Sequence, residues 1–461
     1  MQRIKINAID FWKGASTNDF LPTGGFSNFD KGHNLYKTKG LLYPQPSETD
    51  VAALSDDGLV ASGINHALSK LFCGVVADGG DGYFYTFASD GTPTLASTDT
   101  GRDYSSYASD LIFYNDTFFI TSKTDIASLT STFGTPDYDW WTTVAGGTGF
   151  TSALPHQMLI FEDVLYIADN ANIKSWDKTT AVDSALDLQT DFKITAFVIY
   201  NGKFYISAEK LYNAGGKNSV TSKMFIWNGT DPSYSKVIDL PEKIFTMINY
   251  NGLLLLFGPY SIYAYNGVGF TRIFDLLNTT RPVYKHRILN YKDRIYFANG
   301  DFIICYDGYK FSYFFDSANG SANIKDKTIE SIGLISNDRV IMTSGSRALT
   351  LDLDDGDGTS YWRSNRYELG SSRRVKNIII ELGEDLVSGS DMEFTLIDEK
   401  GDEKTIGSMT YAGGDRIVKQ FKNINKYAIS FQIRVRFKTN AKSIRAITVE
   451  HESIGNPVRK P

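Results

Sequence analysis

One internal repeat constrains this chain more than any other feature. "NYNGLLLLFGPYSIYAYNGVGF" at 249–270 returns without a gap as "NYKDRIYFANGDFIICYDGYKF" at 290–311. Asn249 and Tyr250 fall on Asn290 and Tyr291, Tyr265 on Tyr306, Gly267 on Gly308 and Phe270 on Phe311, an offset of 41 residues. "IFEDVLYIADNANIKSWDKT" (160–179) aligns in the same frame, with Glu162-Asp163 on Lys292-Asp293, Tyr166 on Tyr296 and Trp176-Asp177 on Tyr306-Asp307. "YNGKFYISAEK" (200–210) and "FIWNGTD" (225–231) repeat it around an excursion, "LYNAGGKNSVTS". "FYNDTFFITSKTDIASL" (113–129) and "ISNDRVIMTSGSRALTLDL" (335–353) are two more copies, and "LFCGVVADGGDGYFYTFASDG" (71–91) is a degenerate first one.

Each unit reads as an apolar strand, a two-residue turn, an alternating strand, a polar turn and a third strand ending in an aromatic followed by Asp/Asn-Gly. The first turns are Asn115-Asp116, Glu162-Asp163, Asn201-Gly202, Asn251-Gly252, Lys292-Asp293 and Asn337-Asp338. Asn, Asp and Gly are the residues that accept the positive φ of a tight hairpin, so Asn251-Gly252 is predicted to be a type I′ turn. The turns recur at intervals of 47, 39, 50, 41 and 45 residues, the length of a four-stranded propeller blade. Seven units fit between 58 and 366, so the fold class predicted is all-β, a seven-bladed β-propeller, with six blades as the alternative. Phe118, Tyr166, Tyr205 and Tyr296 occupy matching strand positions and are expected to pack between blades. The composition agrees: 14% aromatic residues and 40 Gly against 12 Pro favour strands and tight turns.

Either side of the repeat the pattern changes. Residues 1–57, with "LPTGGFSNFDKG" and "YPQPSETD", lack periodicity and are expected to be an extended arm that must bury Phe11, Trp12, Phe20 and Phe26 on its own propeller or on a neighbour. From 367 to 461, "VKNIIIEL", "DMEFTLID", "KTIGSMTY", "IVKQFKN", "ISFQIRVRFKT" and "IRAITVEHE" read as strands of a small β-sandwich. Arg434 and Arg436 share one face of their strand, which suits a polar rim contact better than a phosphate groove.

Candidate chemistry is sparse. Cys73 and Cys305 lie apart in apolar stretches and are expected to be buried free thiols. His33, His66, His156, His286 and His451 are scattered, with none paired at metal-ligand spacing. "STDTGRDY" (97–104) is close to the Asp-box hairpin of sialidase-like propellers, a structural turn remote from their active centres. "LDLDDGDGTSYW" gathers Asp352, Asp354, Asp355 and Asp357, but Gly356 stands at the fifth position of an EF-hand order and no Glu follows at the twelfth. G-x-S-x-G, P-loop and dinucleotide fingerprints are missing from the sequence. No catalytic, cofactor-binding or metal-binding residue is therefore assigned, and the chain is not expected to be an enzyme or to carry a cofactor.

The N-terminus "MQRIKINAIDFWKG" has no apolar export core, and the longest apolar run, "GLLLLF", is too short to span a bilayer, so a soluble, non-secreted protein not associated with a membrane is expected. Net charge is −6: residues 371–461 hold 16 Lys+Arg against 12 Asp+Glu, which leaves −10 for residues 1–370. Such an acidic body is not expected to hold DNA by counterion release.

A propeller preceded by an arm and followed by a small β domain ending "ISFQIRVRFKTNAKSIRAITVEHE" resembles the tail nozzle or tail-hub proteins of short-tailed bacteriophages, including the packaged-DNA stabilisation type. The junction "YWRSNRYELGSSRRVKNIIIEL" is similar to the propeller-to-sandwich linker of phage propeller proteins. The resemblance implies a structural virion protein of the tail, a homo-oligomeric ring with six copies favoured, partnered by other tail and portal or adaptor proteins. It implies also that DNA passes the ring's channel without specific binding. The larger nozzle proteins carry inserted domains, for which "LYNAGGKNSVTS" is too short, so a tail-tip or adaptor-ring place stays open. The alternative reading is a carbohydrate-binding or carbohydrate-active propeller, such as a receptor-binding tail protein.

Overall fold

In the computed structural model, the described residues are 2–7, 29–33, 35–38, 41–44, 46–53, 60–65, 70–76, 82–87, 92–99, 110–122, 124–130, 136–150, 156–189, 191–214, 217–276, 278–291, 293–308, 311–317, 328–336, 339–344, 347–356, 361–364, 367–383, 389, 391–410, 418–438 and 444–453. They are almost wholly strands, and helical geometry is confined among them to two single turns, Trp141–Ala145 and Lys285–Arg287. Two compact units are present, one of residues 50–303 and 320–350, the other of 1–49, 304–319 and 351–461.

The repeat folds into a β-propeller of small antiparallel sheets, here numbered in chain order. Sheet I is Val60–Asn65, Lys70–Val76, Gly82–Phe87 and Pro93–Asp99; sheet II is Leu111–Tyr114, Thr117–Thr121 and Ile126–Thr130. Sheet III is Met158–Phe161, Val164–Asp169, Asn172–Trp176 and Ala181–Asp187, and sheet IV is Phe192–Tyr200, Lys203–Ala214, Lys217–Trp227 and Lys236–Asp239. Sheet V is Thr246–Tyr250, Leu253–Phe257, Ser261–Tyr265 and Phe270–Asp275, and sheet VI is Ile288–Tyr291, Arg294–Asn299, Phe302–Tyr306 and Phe311–Asp316. Sheet VII is Ser331–Ser336, Arg339–Ser344 and Arg347–Gly356, with Pro46–Ala53 as its fourth strand. Six sheets are therefore full four-stranded blades; sheet II has three strands among the described residues, and a single bridge, Ser128 to Asp137, stands at its fourth position. The innermost strand of sheet VII lies beside that of sheet I, which closes the ring.

The hairpin turns have the backbone their residues predict. Asn115 and Asp116 sit at φ 50° and 57°, Glu162 and Asp163 at 47° and 60°, Asn201 and Gly202 at 49° and 68°, and Asn251 and Gly252 at 48° and 77°. Two consecutive positive φ angles make these type I′ turns, whose twist matches that of the flanking strands. Asp293 is at φ 56°, whereas Lys292 and Asn337-Asp338 lie outside the described residues.

Two of the recurrent aromatics join sheet to sheet, Tyr166 against Phe204 and Trp227 of sheet IV and Tyr205 against Tyr265 of sheet V, whereas Phe118 packs on Phe113 of its own sheet. Phe118, Tyr166, Tyr205 and Tyr296 are all buried. The residue just before the first turn supplies a further tie: Tyr114 donates its hydroxyl to the Asp163 carbonyl (2.5 Å), Tyr200 to Gly252 (2.8 Å) and Tyr250 to Asp293 (2.7 Å), each reaching the turn of the next sheet. The aromatic before Asp/Asn-Gly closes its own turn, since Tyr265 donates to the Gly267 carbonyl at 2.8 Å and Tyr306 to that of Gly308 at 3.0 Å. Each tie satisfies a buried phenol and fixes a turn at once.

Two expectations are revised. The first 57 residues are not solely an arm: they supply five strands, Gln2–Asn7, Phe29–His33, Leu35–Thr38, Leu41–Pro44 and Pro46–Ala53. Leu35–Thr38 and Leu41–Pro44 pair with each other, but Gln2–Asn7, Phe29–His33, Leu41–Pro44 and Pro46–Ala53 take partners about three hundred or more residues away, which nothing local marks; Phe11, Trp12, Phe20 and Phe26 lie outside the described residues. Secondly, the C-terminal strands do not form two separate sheets but join four of the N-terminal strands in one eleven-stranded sheet. The cause is strand length. Tyr367–Leu382 pairs with Lys426–Phe437, Ile444–Ser453 and Val418–Phe421 in turn, and Lys426–Phe437 pairs also with Asp391–Asp398, so the hydrogen bonding never breaks. Val375, Ile378, Ile380, Phe394, Phe431, Ile433, Val435 and Val449 form its core.

Candidate functional site: the polar mouth of the propeller

Among the described residues, those that the sequence offers for chemistry do not converge. Among the described residues no group of three or more His, Cys, Asp or Glu side chains is placed to hold a metal ion. Cys305 is a buried thiol, and the Cys73 side chain lies outside the described residues. His156, His286 and His451 are buried in different elements. The Asp-box stretch is described only as far as Asp99, the end of a strand; the side chains of Asp352, Asp354 and Asp355, and all of Asp357 and His66, lie outside the described residues. Within the chain, Arg434 forms a two-pronged ion pair with Glu403, 2.6 Å for each arm.

What the fold does bring together is a set of polar groups where the innermost strands begin. Asp110 precedes sheet II, Gln157 precedes sheet III, Thr195 lies at a bulge in the first strand of sheet IV, Phe245 precedes sheet V, Lys285–Arg287 precede sheet VI and Glu330 precedes sheet VII. Gln157 is buried and reaches two other sheets: its side-chain amide donates to the carbonyls of Thr195 (3.2 Å) and Phe245 (3.1 Å), and its side-chain oxygen accepts from the Phe197 amide (3.3 Å). Cross-strand hydroxyl pairs continue the belt, Thr195 with Ser207 and Ser331 with Thr343, each at 3.0 Å.

One interaction spans the ring. The Lys285 ammonium donates to the Asp110 carboxylate (2.6 Å) and to the Met158 carbonyl (2.7 Å), so the approach to sheet VI is tied to the heads of sheets II and III on the far side of the mouth. The Asp110 carboxylate also accepts the backbone amides of Leu111 (2.9 Å) and Met158 (2.7 Å). Next to it, the buried Arg287 donates to the carbonyls of Glu330 (3.0 Å) and Pro282 (2.9 Å) and is ion-paired with the Glu330 carboxylate. Burial, reinforced by the Arg287 charge, drives the His286 imidazole well below its ordinary value of 6.5 and keeps it neutral. Among the described residues the mouth is thus crossed by the protein's own side chains, with Lys285 met by Asp110 and Arg287 by Glu330.

A second buried cluster braces sheet III. Lys174, 3% exposed, reaches Asp183 (3.0 Å), Asp169 (3.6 Å) and the Thr148 carbonyl (3.1 Å) beneath the rings of Trp141 and Phe150. His156 stacks on Phe150 at 4.3 Å and bonds the Ala168 carbonyl at 2.9 Å. None of these partners was readable from the sequence. The Tyr latches were not singled out in the sequence either, though Tyr recurs directly before the turn at 114, 200, 250 and 291, a signal that could have found them.

Comparison with known proteins leaves the family open. No protein-family model matches the chain, and no curated protein matches it. Among solved structures, the N-terminal domain of Nup159 is similar at 13% identity and a TM-score of 0.43 over 74% of this chain and 99% of that one. The exo-β-1,3-galactanase of Phanerochaete chrysosporium is similar at 11% identity and a TM-score of 0.31, covering 88% of this chain and 100% of that one. A further similar structure, YCF48 from Cyanidioschyzon merolae, has 9% identity and a TM-score of 0.42 over 66% and 98%.

Proposed function

We propose that this chain is a non-catalytic structural subunit, a ring component on the tail axis of a bacteriophage particle, set around the path by which DNA leaves. The observation that carries the structural half of this reading is the crossed mouth. The place where a propeller enzyme would gather its acid and base is filled by Lys285–Asp110 and Arg287–Glu330, each charge met by its opposite. The tail assignment rests on the sequence resemblance of a propeller that runs through Tyr361–Ser364 and Tyr367–Leu382 into a C-terminal β domain. With Lys285 across the propeller's own mouth, the DNA channel in this reading is the one enclosed by the ring of copies. The −10 charge of residues 1–370 supports a wall that DNA slides past. Mass spectrometry and electron cryomicroscopy of the particle encoded with this chain test the reading: a ring on the tail axis is the expected result, and a particle lacking the chain, or carrying it as single copies on a fibre, overturns it.

A second reading, a glycan-binding propeller, is favoured by Tyr260, 60% exposed on the turn between the second and third strands of sheet V. An exposed aromatic ring of this kind is a surface on which a sugar face stacks. Glycan-array binding that is lost in Tyr260→Ala would move this reading ahead of the first.

A further inference from the structure

The strand Gln2–Asn7 is an addition to the edge of the eleven-stranded sheet. It pairs in full with Ala446 to His451 and, among the described residues, with no other strand, Gln2 opposite His451 and Asn7 opposite Ala446. Without it, those six residues would be an open edge, ready to accept any extended segment. The edge is selective in its chemistry. Glu450, with a side chain 4% exposed, takes the Arg3 guanidinium at 2.7 and 2.8 Å on one carboxylate oxygen and the Asn377 amide at 2.7 Å on the other. Lys5 lies 3.5 Å from Glu381, Arg373 donates to the Gln2 side chain, and Ile4 packs onto the core of the sheet. The slot therefore reads a basic, an apolar and a basic residue in turn, Arg3, Ile4 and Lys5.

Between Asn7 and Phe29, where the next described strand begins, stand 21 residues. A chain of 21 residues spans at most ~70 Å at about 3.3 Å per residue. Phe29–His33 is held independently by Tyr361–Ser364, so the root of the strand stays with its own copy wherever its tip is bound. We propose that the 446–451 edge is an inter-subunit socket: in the assembled ring the 2–7 strand of one copy is received by the Glu450–Glu381 slot of the adjoining copy. This rests on the ring reading above. The contact is heterologous, strand to slot, the type of contact that closes a ring when the rotation permits. Exchange costs little, because the pairs broken within one chain are the pairs formed between two.

Lys5 and Thr448 face each other across the pair, so Lys5→Cys with Thr448→Cys places two thiols on opposite strands. The full-length double variant is oxidised at concentrations where the wild type sediments as a multimer and is run on a denaturing, non-reducing gel, with both single variants as controls. The expected result is a shift from the monomer band to a covalent ladder that needs both cysteines. Multimers by sedimentation whose cross-link runs wholly as monomer overturn the exchange and leave the ring standing. Sedimentation as a monomer at every concentration, with an intrachain cross-link, also overturns the exchange, and the ring is then judged by particle imaging alone. A second measurement does not depend on the thiols: Arg3→Glu and Glu450→Arg each disfavour assembly alone, and mixing them restores multimers only if strands pass between copies. Failure of the mixture to recover, with both variants folded by circular dichroism, counts against the socket.

Discussion

Replacing Asp110 by alanine tests whether the mouth is held by its carboxylate or by the lysine that crosses it. Asp110 is 7% exposed, and its carboxylate accepts two backbone amides, Leu111 and Met158, besides the Lys285 ammonium. Met158 is 1% exposed, so in Asp110→Ala its amide loses its acceptor where water has little access, at about 1–3 kcal/mol. The Lys285 side chain is 41% exposed and can turn to solvent, which holds the ion pair to about 1 kcal/mol or less. Together these place Asp110→Ala at about 3 kcal/mol and Lys285→Met at or below about 1 kcal/mol. With an unfolding entropy of roughly 0.6 kcal/mol/K for a unit of this size, the melting point falls by about 5 °C for the first and no more than about 2 °C for the second. Scanning fluorimetry and urea midpoints of the two variants give the comparison. If Lys285→Met costs as much as Asp110→Ala, the tie across the ring carries the stability and the backbone-capping argument is wrong.

Three further outcomes follow from particular residues. Gly252 sits at φ 77° with nothing within 4 Å of the Cβ a side chain would add, so Gly252→Val costs only backbone strain, about 1–2 kcal/mol by urea titration; Gly147→Ala, whose Cβ would lie 2.2 Å from the Trp141 indole nitrogen, costs at least as much through overpacking. The depressed His286 value means that the unfolded chain binds a proton the folded chain refuses as pH drops below 6.5; stability is therefore expected to decline on acidification from that point, and His286→Phe to flatten the decline in pH-dependent melting, whereas an unchanged slope would locate the titration elsewhere. Filter binding at low salt is expected to show no sub-micromolar affinity for duplex DNA, and the purified protein no hydrolysis of host polysaccharide; tight, steeply salt-dependent DNA binding would overturn the charge argument.

The hairpins, their turn geometry and the propeller itself were readable from residues alone, because each blade is a local object. Asn-Gly or Glu-Asp between two apolar runs sets two positive φ angles within a few residues of the strands they join, and repetition every 39 to 50 residues needs only that neighbouring sheets bury each other's faces. The Tyr latches belong to the same local grammar, for Tyr114, Tyr200 and Tyr250 each stand one residue before a turn. The remainder was decided by closure of the chain on itself. Pro46–Ala53 becomes the fourth strand of sheet VII, Gln2–Asn7 the edge partner of Ile444–Ser453, and Lys285 the partner of Asp110 across 175 positions. No sequence period records such pairs, since an open edge or a buried carboxylate accepts whichever strand or cation the ring brings near it. The eleven-stranded sheet was missed for a related reason: the sequence marks where Tyr367–Leu382 and Lys426–Phe437 are extended, but how many partners so long a strand takes depends on its bulges and on which edges the folded chain leaves beside it.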